Sequence, residues 1–334
     1  MKNICVLGSG AWGTAISCVL AENGHKVKIF GVNEEEISDI NVNRTNSRFF
    51  DFDLKLSENV VATLDFDFAA KNADVIVIAV PSYAIEDTVK KMLPYLADDT
   101  LIVNLAKGFD ESTKKTVGDW IRSMLPMKNR GNTVSLLGPT FFRSLEVAEK
   151  QFTTITAASH SKSACKRVQD IFSTPYFRVY TNNDPIGAEY CSALKNVIAI
   201  ACGVADGLGC KVNTRAALIT RGLAEITHFV KRLGGRESTC YGLTGVGDLT
   251  LTCSSKTSRN YTAGYEIGKT SFAEFNAHND KTVEGLFACI IAYELAEEFG
   301  IAAPIVRFVY SVTHDGKDVK TEFDALKILI IGEE

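Results

Sequence analysis

Gly8-Ser9-Gly10-Ala11-Trp12-Gly13 constrains this chain more than any other segment. The three glycines follow a short β-branched run at 3–7 and open an amphipathic stretch. In that position Gly8 permits a tight turn, Gly10 lets backbone approach a pyrophosphate, and Gly13 lets a helix pack closely on the strand before it. The helix start then offers unpaired N–H groups and the positive end of its dipole. The spacing points to a bound dinucleotide, a purely structural turn being the alternative.

The surroundings fit an alternating pattern. Strand-like runs recur at 26–30, 60–63, 75–80, 101–105 and 133–137, separated by helical stretches at 12–23, 34–43, 84–93 and 112–125. The run Val75-Ile76-Val77-Ile78-Ala79-Val80 is apolar throughout, as strands are in a parallel sheet covered on both faces. More β-like runs follow at 153–158 and 177–181 around a helical stretch at 163–172. After Asn183 the texture becomes helical, at 186–206, 214–233, 283–299 and 304–313, interrupted by a loop at 242–252 and a polar stretch at 270–280. The expected fold is an α/β Rossmann domain over 1–184, followed by an all-α domain over 185–334.

Charge and composition exclude several classes. Thirty-six Lys and Arg against 40 Asp and Glu leave a net charge of −4, which lacks the basic footprint of a nucleic-acid binder. At 46% hydrophobic and 23% charged, the 334 residues can bury sizeable cores. No uninterrupted apolar run reaches the roughly 18 residues of a membrane span, and the start runs into the glycine turn without a signal-peptide apolar region. The nine cysteines are scattered with no C-x-x-C, and the five histidines are isolated. Neither spacing suits a metal, and a cytoplasmic location is expected.

Cofactor type stays open at this level. An acidic residue about 20 positions after the glycines would hold an unphosphorylated ribose, and an Arg would accommodate a 2′-phosphate. Glu34 lies slightly beyond the ideal tip and reads equally well as a first-turn helix acid. Lys107, before Gly108, either projects into the crevice at the strand ends or is a solvated loop lysine. Thr140, in Gly138-Pro139-Thr140, is an N-cap or an anion-facing hydroxyl. Lys195 has Ala188, Cys191, Ser192, Ile198 and Ala199 on its helical face. It therefore snorkels outward or serves a buried site where acid/base work is feasible. Asp248 ends the glycine-dense run 242–247, as a connector cap or a delivered carboxylate. Ser258-Arg259-Asn260 begins a helix, either as a plain cap with a surface Arg or as a guanidinium fork for a phosphate.

Taken together, GSGAWGTA (8–15), AVPS (79–82), AKGF (106–109), LGPTFF (137–142), ALKNVIAIACG (193–203), GLTGVGDLTLTC (242–253), SRNYTAG (258–264) and VEG (283–285) resemble the bacterial-type NAD(P)-dependent sn-glycerol-3-phosphate dehydrogenases. The resemblance implies a helical domain like that of 6-phosphogluconate dehydrogenase, an active site between the domains, and reversible reduction of dihydroxyacetone phosphate for phospholipid synthesis. It implies Lys195 as the proton donor or acceptor, with Lys107 and Asp248 bordering the reacting oxygen. Gly138, Thr140, Ser258, Arg259 and Asn260 would contact the substrate. Ala11, Trp12, Lys107, Phe142, Arg259 and Glu284 would lie against NAD or NADP, alongside Gly8, Gly10 and Gly13. Thr140 and Phe142 replace the family's usual Ser and Ala, Arg143-Ser144 a usual Glu pair, Thr282 a usual Val, and Val32 stands where a basic residue is common.

Two other readings share parts of this pattern. Another dehydrogenase of the same two-domain class would lack reason to carry the Ser258-Arg259-Asn260 start. A nonenzymatic dinucleotide sensor would have no need of Lys195, Asp248 and Arg259 together. The partner expected is a small molecule, with no nucleic acid and no integral membrane segment; oligomeric state, a homodimer being one option, stays open.

Overall fold

Alternate residues of the first strands bury toward opposite faces, so helices must cover both sides of the sheet. The computed structural model describes residues 1–52, 54–140 and 145–329. The chain divides into two units, Met1–Asp110 with Val117–Pro185, and Glu111–Thr116 with Ile186–Glu334.

The first unit is built on eight strands: β1 (Asn3–Leu7), β2 (Lys26–Phe30), β3 (Val60–Thr63), β4 (Val75–Ile78), β5 (Leu101–Asn104), β6 (Thr133–Leu137), β7 (Thr153–Ala158) and β8 (Phe177–Asn182). Their order is β3-β2-β1-β4-β5-β6-β7-β8. Ile4, Val6, Val75, Val77 and Val103 pack on one face with Ala15, Val19 and Val168. Cys5, Leu7, Ile76, Ile78 and Ile102 pack on the other with Val89 and Ile121. The two small helices that bear on the site are α1 (Ala11–Glu22) and α2 (Glu34–Ser38).

One strand departs from the all-parallel expectation. β7 runs antiparallel to β6, with Ser135 opposite Ala158. The only helix described between them, Leu145–Ala148, has four residues and is no full crossover, which a parallel return needs. β7 and β8 are parallel again because the eleven-residue helix Lys162–Phe172 connects them.

The second unit is helical. Its main elements are α3 (Pro185–Gly207), α4 (Val212–Arg232), α5 (Asp248–Ser254), α6 (Arg259–Lys269), α7 (Glu284–Phe299) and α8 (Pro304–Thr313). The 242–252 segment, expected as a loop, holds a wide turn over Leu243–Gly247 and then α5. The polar stretch 270–280 also contains a helix, Phe272–His278, started by the Ser271 side chain accepting from the Glu274 N–H. The helix expected at 112–125 is shorter, Val117–Met124.

α3 is long and apolar enough to cross a membrane, but 94% of its apolar window is buried within the fold. It is a core helix, and glycines set how closely it is approached. An added Cβ at Gly203 would lie 2.1 Å from the Tyr261 carbonyl oxygen, and one at Gly207 2.3 Å from that of Tyr265. From the α6 side, a Cβ at Gly264 would come 2.1 Å from the Ile200 oxygen, and one at Gly268 2.4 Å from that of Val204. Both helices therefore present glycines four residues apart, on one face each, and their backbones touch.

Glu225, buried in α4, accepts from the backbone N–H groups of Ile305 (2.7 Å) and Val306 (3.3 Å). It thereby caps α8, whose first position is Pro304. Burial pushes the Glu225 carboxyl up from 4.5 to about 8, against the two N–H donors that favour its charge. Its folded-state value is raised, so its contribution to stability is full below the unfolded value and is lost as pH rises through about 8. Glu225→Gln should flatten the fall of melting temperature between pH 5 and 8. An unchanged slope in calorimetry would contradict this assignment.

Candidate active site

The glycine turn has the geometry its spacing anticipates. Gly8 has φ +121°, and a Cβ there would meet the Ala79 oxygen at 2.6 Å, while one at Gly13 would meet the Gly8 oxygen at 2.0 Å. Gly10 differs, since a Cβ there would meet nothing within 4 Å. The open side of Gly10 is the cradle a pyrophosphate needs, beside the start of α1, which no side chain caps. The residues present therefore fit a dinucleotide. Ala11 is buried, and Trp12 packs edge-on to Phe177 with centroids 6.5 Å apart.

A small polar network fixes the turn. Asn46 donates to the Ser9 oxygen at 2.8 Å and to Thr14 Oγ1 at 2.9 Å. Ser9 Oγ donates to Glu36 Oε2 at 2.5 Å, and Arg48 donates to Glu36 Oε1 at 2.6 Å. Glu34 is exposed in the first turn of α2, whereas Glu36 is buried against the turn. The acid that reaches the glycines is thus Glu36, which the spacing argument passed over. Asn33 caps α2 by accepting from the Glu36 N–H at 3.0 Å.

At the far end of β5, Asn104 clamps its own loop, donating to the Ala106 oxygen at 2.9 Å and accepting from the Ala106 N–H at 3.0 Å. The clamp fixes the backbone that bears Lys107, whose Nζ donates to the Gly138 oxygen at 3.0 Å. Thr140 Oγ1 reaches the same oxygen at 3.4 Å. Lys107, Gly138 and Thr140 are therefore gathered at neighbouring strand ends. Phe142, with Arg143, lies outside the described residues.

In the second unit the lysine is buried. Lys195 is 4% exposed and Asp248 is 0% exposed. Lys195 Nζ donates to Asp248 Oδ1 and, at 3.0 Å, to Thr252 Oγ1. Thr252 in turn donates to the Asp248 backbone oxygen at 2.6 Å, one helical turn back in α5. The outward-snorkelling alternative for Lys195 does not hold. The nearby Cys253 thiol is pushed well up, by burial first and then by Cys202, so it stays protonated and adds no charge there.

The next residue on α3 organises a second cluster. Asn260 Nδ2 donates to Asn196 Oδ1 at 3.0 Å and its Oδ1 accepts from the Gly285 N–H at 2.8 Å. Asn196 donates to Glu284 Oε2 at 3.4 Å, and Arg259 lies 3.8 Å from Glu284 Oε1. Ser258 is the N-cap of α6, its Oγ accepting from the Tyr261 N–H at 3.2 Å. Arg259 stands on the first turn with its side chain one-third exposed. Asn104, Thr252 and Asn196 were not anticipated. The signal for Asn104 is a polar residue closing an apolar strand; for Asn196, its place beside Lys195.

The first unit carries an open backbone cradle; the second carries a buried ammonium held by a carboxylate and a hydroxyl, and a guanidinium on a helix start. That is equipment for moving a proton at Nζ and for holding an anion. Thr252→Val should leave the fold intact, because the hydroxyl is replaced by a similar volume. It should cost about 1–3 kcal/mol, since it strands a hydrogen bond to the buried ammonium. Thermal unfolding measures that cost, and a neutral effect would remove Thr252 from the network.

Comparisons with known proteins cover nearly the whole chain. The family model described as NAD-dependent glycerol-3-phosphate dehydrogenase N-terminus matches residues 3–165, and the corresponding C-terminus model matches 184–324. A relative from Bacillus velezensis named glycerol-3-phosphate dehydrogenase, NAD(P)+, is 41% identical over 329 residues, covering 98% of this chain and 94% of its own. A protein of the same name from Geobacillus kaustophilus is 42% identical over 328 residues, covering 98% and 94%. Among solved structures, glycerol-3-phosphate dehydrogenase from Coxiella burnetii has a TM-score of 0.86 at 30% identity and covers 99% of both chains.

Proposed function

The chain belongs to the NAD-dependent glycerol-3-phosphate dehydrogenase family, and on that premise we propose that it interconverts dihydroxyacetone phosphate and sn-glycerol 3-phosphate with NAD(P)H. It thereby supplies glycerol 3-phosphate for phospholipid synthesis. Residues 1–184 serve as the dinucleotide-binding part and 185–334 as the helical part that carries the proton and phosphate chemistry. Its partner is a small molecule, and its setting is the cytoplasm.

The nicotinamide supplies hydride transfer when bound. The protein's work is to orient the ketone, hold its phosphate and deliver a proton to the oxygen that gains charge. Lys195 Nζ delivers that proton in ketone reduction and takes it back in alcohol oxidation. Its ammonium also stabilises the developing alkoxide. The observation that carries this role is the burial of Lys195 with Asp248 and Thr252 as its partners. Asp248 makes a buried cation tolerable, and both partners restrict Nζ to one direction.

Arg259 grips the substrate phosphate as a planar fork at the start of α6, where the helix dipole also favours an anion. Ser258 orders that turn, and Asn260 ties it to α3 and α7 through Asn196 and Gly285. Lys107, Gly138 and Thr140 complete the substrate contacts. Ala11, Trp12, Gly8, Gly10, Gly13, Lys107, Phe142, Arg259 and Glu284 hold the cofactor.

Lys195→Ala should lower kcat for dihydroxyacetone phosphate about 10²- to 10⁴-fold while NADH still binds; near-normal turnover would refute the proton role. Arg259→Ala should raise KM for the phosphorylated ketone far more than for dihydroxyacetone. Equal losses with both ketones would eliminate the phosphate clamp.

A further inference from the structure

We propose that Ser192 is a substrate contact: its hydroxyl binds the free hydroxymethyl group of dihydroxyacetone phosphate and sets the preference for a ketone that carries one. The inference rests on the proposed reaction at Lys195 and deepens it.

α3 is apolar over most of its length, but Glu189, Ser192, Lys195 and Asn196 form a buried polar stripe along it. At about 3.6 residues per turn, Lys195 and Asn196 lie about 60° and 40° to either side of Ser192, roughly one turn further on. The second unit answers Glu189, Lys195 and Asn196 from within. Thr116 donates to Glu189, Lys195 donates to Asp248 and Thr252, and Asn196 accepts from Asn260. Ser192, between them, is 1% exposed, and its Oγ meets no hydrogen-bond partner among the described residues.

A hydroxyl inside a helix commonly donates to the carbonyl four residues back. Ser17 does so to Gly13 at 2.7 Å, and Thr227 to Leu223 and Thr313 to Val309 at 2.8 Å. Ser192 makes no such bond to Ala188, and a hydroxyl buried unpaired carries its full desolvation cost. A polar group kept on those terms fits a position whose partner arrives with a ligand. The chemistry of the substrate names that partner. In this unit the ketone oxygen goes to Lys195 and the phosphate to Arg259, and the hydroxymethyl group is the polar group left over. Its hydroxyl sits on the carbon bonded to the carbonyl, so a ketone oxygen held at Lys195 Nζ keeps it close to the polar stripe. The two groups also match in kind, since each is a neutral hydroxyl able to donate and accept.

The test compares dihydroxyacetone phosphate with acetol phosphate, which carries a methyl in place of the hydroxymethyl group, using the full-length chain and saturating NADH. The natural chain should favour dihydroxyacetone phosphate in kcat/KM by at least about tenfold. Ser192→Ala should lower kcat/KM for dihydroxyacetone phosphate about tenfold, mainly through KM, and leave acetol phosphate nearly unchanged. Ser192→Cys, close in volume but a weak donor, should act like Ser192→Ala. The melting temperature of Ser192→Ala should hold or rise, because an unpaired hydroxyl is removed. A fall would reveal an internal partner and overturn the proposal. So would equal effects on the two ketones, or a change confined to NADH affinity, which would put the hydroxyl at the coenzyme instead. If the natural chain reduces neither ketone, the proposed reaction fails and the assignment falls with it, an outcome distinct from turnover without discrimination.

Discussion

A charged amine inside a protein is tolerable only with a partner of opposite charge, and the second unit is arranged around meeting that demand for Lys195. Desolvating an unpaired ion would cost several kcal/mol, more than most single contacts return. Asp248 answers the charge and Thr252 takes another N–H direction. Meeting it requires that α3 and α5 come from separate stretches of chain, 53 residues apart, to one point. The turn Leu243–Gly247 serves that end: a Cβ on Gly245 would fall 1.9 Å from the Cys240 carbonyl oxygen, so only glycine lets the chain fold back this tightly. The catalytic proposal and the packing of this unit are two aspects of one electrostatic constraint.

The first unit follows a different logic, in which backbone does the recognising. Gly8 and Gly13 are spent on close packing, while Gly10 is left facing open space. Side chains enter as braces: Asn46, Ser9 and Glu36 immobilise the turn, and Asn104 immobilises the loop bearing Lys107. A turn that must accept an anion with little rearrangement gains from being fixed beforehand.

Much of this was legible in the residues alone. The glycine turn, the apolar run 75–80 and the switch to helical texture after Asn183 each follow from local sequence, because turns, strand faces and helix faces have short periods. The small apolar neighbours of Lys195 left it either snorkelling outward or buried, and its 4% exposure decides for burial. What escaped depends on residues distant in the chain. Nothing near Glu36 distinguishes it from Glu34 until Ser9 and Arg48 are placed beside it. The reversal of β7 depends on how its connection packs. The segment 242–252 read as a loop because its glycines mask α5, whose stability comes from burial of Leu249 and Cys253 more than from propensity. Ser258 was legible as a cap, and the structure uses it as one; Asn260, two residues on, acquires its role through Asn196, 64 positions earlier, and Gly285, 25 positions later.

The seam between α3 and α6 carries a mechanical consequence. Gly203 and Gly207 face Gly264 and Gly268 with no side chains between them, so the two helices meet as bare rails. There are no rotamers at that seam to freeze when it forms and none to yield when it is loaded. A residue with a Cβ at any of these four positions would press it onto a facing carbonyl oxygen, so the glycines hold the helices to this axial alignment. Lys195 and Asn196 sit two turns up one rail and Asn260 one turn up the other, and a ruler without slack sets the spacing between them.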